Sequence, residues 1–187
     1  MARPTSLLNR ILRASQLAPG LYEEVEADTS ATGQAVLAVV LVSVATGVGS
    51  GIDALASGGA AEFAWGLMFG LGTSIVGWLL WAFFVYVLGV SILKGPNTAS
   101  TWGELLRTMG FANSPGLLRV FAFMPVAGGI ISLVASVWAL IAAVVAIRQA
   151  LDFSTGRAIV TALTGWLAYM FLIFGLVALL GSAPVLV

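Results

Sequence analysis

Residues 111–129 read FANSPGLLRVFAFMPVAGG, with two prolines, a glycine pair and an arginine among apolar residues. Apolar sequence continues on both sides of this stretch. It is therefore either the middle of one long helix or the end of one segment and the turn into the next. Proline removes a backbone donor and disfavours helical geometry in the residue before it, so helices usually end there. The number of segments in the fold depends on which alternative holds.

The composition is that of an integral membrane protein. Of the 187 residues, 60% are hydrophobic and 9% are charged, whereas a soluble domain carries about 25% charged residues. The formal net charge is zero, so we expect no surface for nucleic acid. The chain contains no cysteine and no histidine, which removes thiolate chemistry and the commonest general base and metal ligand. We therefore expect no enzyme activity, no metal and no cofactor.

Charge predicts the sidedness of the segments. Residues 53–62, between the first two apolar spans, contain two acidic residues and no basic one, whereas basic residues follow the second span. The positive-inside rule then places the N-terminus and the loop after the second span in the cytoplasm. The loop at 148–157 carries two arginines and should also be cytoplasmic. Residues 104–147 must therefore cross the membrane twice.

The opening stretch accordingly ends a third segment and turns, at residues 124–129, into a fourth. Pro115 predicts a break in the third segment at residues 113–116. The sequence thus predicts an all-α polytopic membrane helix bundle with its N-terminus inside and its C-terminus outside. The five predicted membrane segments are residues 34–52, 63–93, 105–124, 130–147 and 158–180.

Residues 1–31 are predicted to form a cytoplasmic N-terminal interfacial segment, and residues 32–187 the transmembrane domain. A short N-terminal amphipathic helix is expected, because four apolar residues fall on one helical face with the arginines mostly off it: Leu7, Leu8, Ile11 and Leu12. Such a helix is typical of an anionic membrane surface, and an ordinary solvated helix is the alternative. The acidic run at 23–28 predicts a solvated face rather than a metal site.

The third segment is the most polar, and four of its residues are candidates for binding a lipid or a partner: Glu104, Arg107, Asn113 and Arg119. Non-helical backbone at membrane depth must be covered by protein or water, so this segment should face the interior or a partner. An ionisable residue in a span is by default a functional candidate. Arg119 could bind a lipid phosphate, pair with a partner's carboxylate or line a polar path; the alternative is snorkelling to the outer headgroups. Glu104 and Arg107 could also simply order the adjacent loop.

Small residues recur at a spacing of four and are candidates for close helix packing: Gly47, Gly51, Gly66, Gly70, Thr161 and Gly165. A helix without side chains at the contact lets its neighbour approach closely, which favours association by dispersion. Packing within the chain is the first interpretation. A face that joins copies into a homo-oligomer is the second.

Three blocks of the sequence carry a family resemblance: LYEEVEADTSATGQA at 21–35, FANSPGLLRVF at 111–121 and VWALIAAVVAIRQALDFSTGRA at 137–158. They resemble the bacterial members of the Yip1 family of multipass membrane proteins. The resemblance implies a five-helix protein of the bacterial cytoplasmic (inner) membrane, with its N-terminus inside and its C-terminus outside. Eukaryotic members of that family bind prenylated Rab GTPases and shape secretory membranes.

Two classes of function remain after this reading. In the first, the protein is a non-catalytic scaffold or accessory subunit that binds membrane lipids, other integral membrane proteins or a second copy of itself. In the second, it is a small channel or transporter with Arg119, Asn113 and Glu104 lining a path. Transporters favour two similar halves with paired broken helices. The sequence has one broken segment and no internal repeat, so the scaffold is preferred.

Overall fold

The computed structural model describes residues 6–96 and 98–181, and the elements within these ranges are helices. This confirms the all-α class. The helices are α1 (Leu7–Ser15), α2 (Pro19–Ala27), α3 (Thr32–Val87), α4 (Trp102–Ala112), α5 (Ala127–Ala150) and α6 (Thr155–Gly181). A 3₁₀ helix (Ser114–Phe121) follows α4, and a π-helical turn (Leu88–Ile92) ends α3.

Helix α3 is a hairpin of two helices joined at Gly59. That residue has φ of 81° and ψ of −177°, a conformation that glycine adopts readily because it has no side chain. We call the two arms α3a (residues 32–58) and α3b (residues 60–87). The sequence predicted that residues 53–62 connect the first two spans. The connection is shorter than predicted, because each of these residues except Gly59 belongs to α3a or α3b.

The two arms of α3 are antiparallel and packed closely. A side chain added at Gly47 would meet Leu67, and one added at Gly51 would meet the Phe63 ring, at 2.5 and 2.7 Å respectively. Both glycines therefore lie where the opposite arm approaches the backbone. This is the intramolecular packing expected of small residues in membrane helices.

The third segment is broken where Pro115 predicts. Helix α4 begins with a capping box of Thr101 and Glu104 and ends at Ala112, with Asn113 as its C-cap. The chain then continues as the 3₁₀ helix, with Pro115 in its first turn, where the missing N–H costs nothing. A 3₁₀ helix rises about 2.0 Å per residue rather than 1.5 Å, so the broken segment reaches further than an α-helix of equal length.

The third segment runs alongside α3a in the same direction. Gly110 packs against Ala35 near the start of α3a, and the carbonyl of Arg119 packs against Gly49 further along it. Since the path from Gly110 to Arg119 follows α3a from its beginning toward its end, the two segments are parallel. Helix α5 then returns in the opposite direction.

The turn into α5 lies where it was predicted, but its glycines have another role. Val126 adopts φ of 66° before α5 begins at Ala127, so the reversal is made before the glycine pair. Gly128 lies in the first turn of α5 against the carbonyl of Ala122. A side chain there would collide with that carbonyl, which explains the need for glycine.

Four helical stretches are long and apolar enough to cross a membrane: Thr29–Ile52, Gly58–Ile92, Ala127–Ala150 and Thr155–Leu179. They correspond to the first, second, fourth and fifth predicted segments. The third predicted segment is divided between α4 and the 3₁₀ helix, and neither piece alone is long enough to span the hydrocarbon core of about 30 Å. The predicted outer C-terminus lies outside the described residues.

Helices α1 and α2 pack onto the bundle through a buried arginine. The Arg10 guanidinium donates to the carboxylates of Glu24 (3.0 Å) and Asp28 (2.6 Å) and to the Gln34 amide oxygen (3.1 Å). Arg13 also pairs with Glu24. Hydrogen bonds from Ser30 and Arg10 lower the pKa of the Asp28 carboxyl. The acidic run is therefore more than the solvated face expected, because two of its carboxylates bind arginines.

The apolar residues of α1 do not form a single face. Ile11 is buried in a cluster that joins α1, α2, α3a and α4, with Leu7 packed against it. Leu8 and Leu12 are exposed on the other side of the helix. The expected single apolar face is thus divided, because Arg10 and Ala14 occupy the inner face together with Ile11.

Candidate functional site

A cavity of about 740 Å³ lies among the bundle helices, bounded by both arms of α3, the third segment, α5 and α6. Its lining includes Ser43, Trp78, Ser136 and Trp166. Each of these residues lies near the middle of its own candidate span. The cavity therefore lies at the mid-depth of the apolar belt.

Arg119 points into this cavity from the 3₁₀ helix. Its Nη2 donates a hydrogen bond to Ser136 Oγ at 2.9 Å, and that hydroxyl donates to the carbonyl of Ser132 at 2.7 Å. The guanidinium thus reaches toward the middle of α5, away from the turn at Val126. The snorkelling expected as an alternative would require the opposite direction.

Among the side chains that the structure describes, no carboxylate pairs with Arg119. The ion pairs that these side chains form involve Arg10 and Arg13. A guanidinium at membrane depth is costly unless it is paired or hydrated. The cavity is therefore a place where an anionic group would be stabilised.

Asn113 also lines the cavity. Its Nδ2 donates to the carbonyl of Met109 at 2.9 Å, which satisfies one of the acceptors that the end of α4 leaves free. The break in the third segment therefore brings Asn113 and Arg119 together at the same wall. These are two of the four candidates chosen from the sequence.

The other two candidates lie on α4, outside the lining of the cavity. Glu104 accepts from the backbone N–H of Thr101 at 2.7 Å and so caps the helix. Arg107 is buried and donates from Nε to the carbonyl of Val25 at 2.7 Å and from Nη2 to that of Glu26. Burial, with Glu104 adding to it, raises the pKa of the Glu26 carboxyl to about 7. Glu104 thus caps α4, and Arg107 holds α2 against it.

Several cavity residues were missed by the sequence analysis: Ser43, Thr46, Ser74, Trp78, Trp81, Ser136, Trp166 and Tyr169. Serine and threonine in apolar helices usually bond to their own backbone, as Ser43 does to the Val39 carbonyl at 2.9 Å, so they give no signal. Tryptophan in a span is typical of the membrane interface. Only Asn113 and Arg119 were polar enough to stand out.

The remaining small-residue candidates have two different environments. Gly165 lies against the backbone and side chain of Val85 and so joins α6 to α3b. Thr161 is fully buried and donates to the carbonyl of Arg157 in its own helix. Gly66 and Gly70 have open space where a side chain would begin. Among the described residues these two glycines make no close helix contact, and a face that joins copies of the chain stays a prediction.

Comparison with known proteins agrees with this architecture. A Yip1 domain matches residues 18–179. The chain belongs to the Yip1 family. No curated protein and no solved structure matches the chain. The matched residues extend from the start of α2 to near the end of α6.

Proposed function

We propose that this Yip1-family protein is a non-catalytic scaffold or accessory subunit that binds membrane lipids, other integral membrane proteins or a second copy of itself. The observation that carries this proposal is the Arg119 guanidinium, held at mid-depth in a cavity where it donates a hydrogen bond to the neutral hydroxyl of Ser136. A fixed positive charge with space beside it stabilises an anionic group brought by a ligand.

A small channel or transporter is the second candidate. The size and depth of the cavity favour it, because secondary transporters bind their substrates near the bilayer midplane. The same principle also expects paired broken helices in two similar halves, whereas the sequence has one broken segment and no internal repeat. The scaffold therefore remains the preferred function.

We place the protein in the bacterial cytoplasmic membrane with five crossings, the N-terminus inside and the C-terminus outside. The third segment runs parallel to α3a, and α5 runs back in the opposite direction. This supports counting the third segment as a separate crossing, which brings the total to five. The basic residues that follow the second and fourth segments support the orientation.

Topology reporters provide the test of this arrangement. A reporter that is active only in the cytoplasm should be inactive when inserted in the turn at 124–129 and active in the loop at 148–157, because α5 separates them. An insertion at Gly59 is the matched control and should also be inactive. Activity at 124–129 together with activity at 148–157 would show that the third and fourth segments do not cross separately.

The proposed function itself is tested with Arg119→Leu in purified protein and in liposomes. Recovery of bound anionic lipid or of a co-purifying membrane protein should fall about tenfold, which corresponds to one lost charge-assisted hydrogen bond of about 1.5 kcal/mol. Liposomes with either the wild type or the variant should pass no ions. Arg148→Leu is the matched control, since it removes an exposed arginine from the cytoplasmic end of α5.

Ion or solute flux through the wild-type protein that changes selectivity in Arg119→Leu would replace the scaffold with the channel, since a fixed charge sets the barrier in a low-dielectric path. If Arg119→Leu recovers as much anionic lipid and co-purifying protein as the wild type, the binding surface must lie outside the cavity.

A further inference from the structure

Trp78 places a buried hydrogen-bond donor in the cavity for which the described residues provide no acceptor. Its side chain is buried, with an exposed fraction of 7%, and its Nε1–H finds no acceptor among the described residues. A buried donor without an acceptor is unfavourable, and such groups in native proteins are usually satisfied by a partner or a ligand. Trp78 and Arg119 line the same cavity. The cavity therefore contains one donor without an acceptor and one cation whose hydrogen-bond partner is a neutral hydroxyl.

An apolar cavity of about 500 Å³ lies beside the first one, between α3b and α6. The two cavities share Thr73, Gly77 and Tyr169 in their walls. Met68 and Val76 line the second cavity and are 66% and 52% exposed. It is therefore open at the surface of the bundle, where lipid chains lie.

We infer that the two cavities together bind one long-chain carboxylate, with its headgroup at Arg119 and Trp78 and its chain in the apolar cavity between α3b and α6. This inference rests on the proposed function and names its ligand. A carboxylate accepts hydrogen bonds at both oxygens and can pair with the guanidinium. Its single charge neutralises the single charge of Arg119, so the complex leaves no net charge at mid-depth.

The residues that line the two cavities determine which ligand fits. A short anion would pair with Arg119 but would leave the apolar cavity empty. An uncharged amphiphile would fill the apolar cavity and leave the guanidinium without a counter-charge. The volume of the first cavity lies within the range of about 300–1,000 Å³ that is usual for ligand pockets.

Quenching of tryptophan fluorescence by a brominated fatty acid tests this inference, since Trp78, Trp81 and Trp166 line the cavity. The protein is placed in nanodiscs of zwitterionic lipid and titrated with dibromostearate. We expect saturable quenching that stearate reverses. The methyl ester of dibromostearate, which partitions into the bilayer without a charge, should quench only weakly and without saturation.

Four variants locate the headgroup. Arg119→Leu should weaken dibromostearate binding about tenfold, and Arg119→Lys should keep most of it because the charge remains. Trp78→Phe removes the N–H but keeps an aromatic ring, and should weaken the competition by stearate about fivefold. Arg148→Leu is the control and should bind as the wild type does. Size-exclusion chromatography checks that each variant is folded.

The inference is overturned if the methyl ester binds as tightly as the acid, or if Arg119→Leu binds like the wild type. It is also overturned if acetate reverses the quenching at the same concentration as stearate, since that outcome indicates a site for small anions. If dibromostearate does not bind saturably, while the co-purifying membrane protein is still recovered and no ions pass, the long-chain carboxylate is wrong as the ligand and the scaffold function stands. Ion flux through the wild-type protein would instead contradict the scaffold function.

Discussion

Gly49→Leu is expected to lower the free energy of unfolding by about 3 kcal/mol, the upper part of the range for overpacked interiors. A Cβ at this position would overlap the carbonyl oxygen of Arg119 and lie 3.2 Å from the Cβ of Ala122. The obstacle is backbone, which cannot turn aside as a side chain does. The third segment must therefore move away from α3a, and Arg119 moves with it.

Gly66→Leu is the matched control for this experiment. It makes the same change in the other arm of α3, at a glycine with open space around it, and should change the stability by no more than about 0.5 kcal/mol. Both variants are compared by denaturant unfolding in detergent. Equal stability of Gly49→Leu and the wild type would show that the third segment does not pack against α3a at this point. Gly49→Leu should also lose the binding of dibromostearate.

Local signals in the sequence were sufficient for much of the fold. The hydrophobic runs predicted the four spans, and Pro115 predicted the break after Ala112, because proline acts on its immediate neighbours. The turn before α5 was also predicted, but its positive φ falls on Val126 and not on the glycine pair. That detail depends on the approach of Gly128 to the Ala122 carbonyl, a contact between elements that no local pattern reports.

The packing of the N-terminal helices could not be predicted from the residues of α1 alone. Its arginines suggested a charged outer face, and the structure buries Arg10 against Glu24 and Asp28. A buried arginine is tolerated when its donors are all satisfied by nearby acceptors. These acceptors lie on α2 and beyond it, so the pattern within α1 does not reveal them.

The candidate site was predicted in part. Asn113 and Arg119 were identified because polar groups are rare in spans, and the structure places both at the cavity. Glu104 and Arg107 were chosen by the same rule, but on α4 Glu104 caps the helix and Arg107 packs it against α2. Trp78 was missed because its lack of an acceptor is a property of the folded bundle and not of any sequence pattern.

The central claim of this account is that Arg119 lies at mid-depth beside Ser136 and has no counter-charge among the side chains that the structure describes. A cycle of Arg119→Leu and Ser136→Asp tests it, because the new carboxylate would take the place of a hydroxyl that lies 2.9 Å from Arg119 Nη2. In the protein that keeps Arg119, this carboxylate forms an ion pair with the guanidinium. Ser136→Asp should then lower the free energy of unfolding by less than about 1 kcal/mol. Without Arg119, an unpaired aspartate at the centre of a span costs about 3 kcal/mol.

Thr164→Asp is the control for this cycle, since Thr164 lies near the middle of α6 and outside the cavity lining. It should destabilise the protein by the same amount with and without Arg119. The decisive measurement is the coupling energy between Arg119→Leu and Ser136→Asp, from the unfolding free energies of the four proteins. We expect about 2 kcal/mol, a value typical of residues in direct contact. A coupling energy of zero, with Ser136→Asp equally destabilising in both backgrounds, would contradict the placement of Arg119 in the cavity.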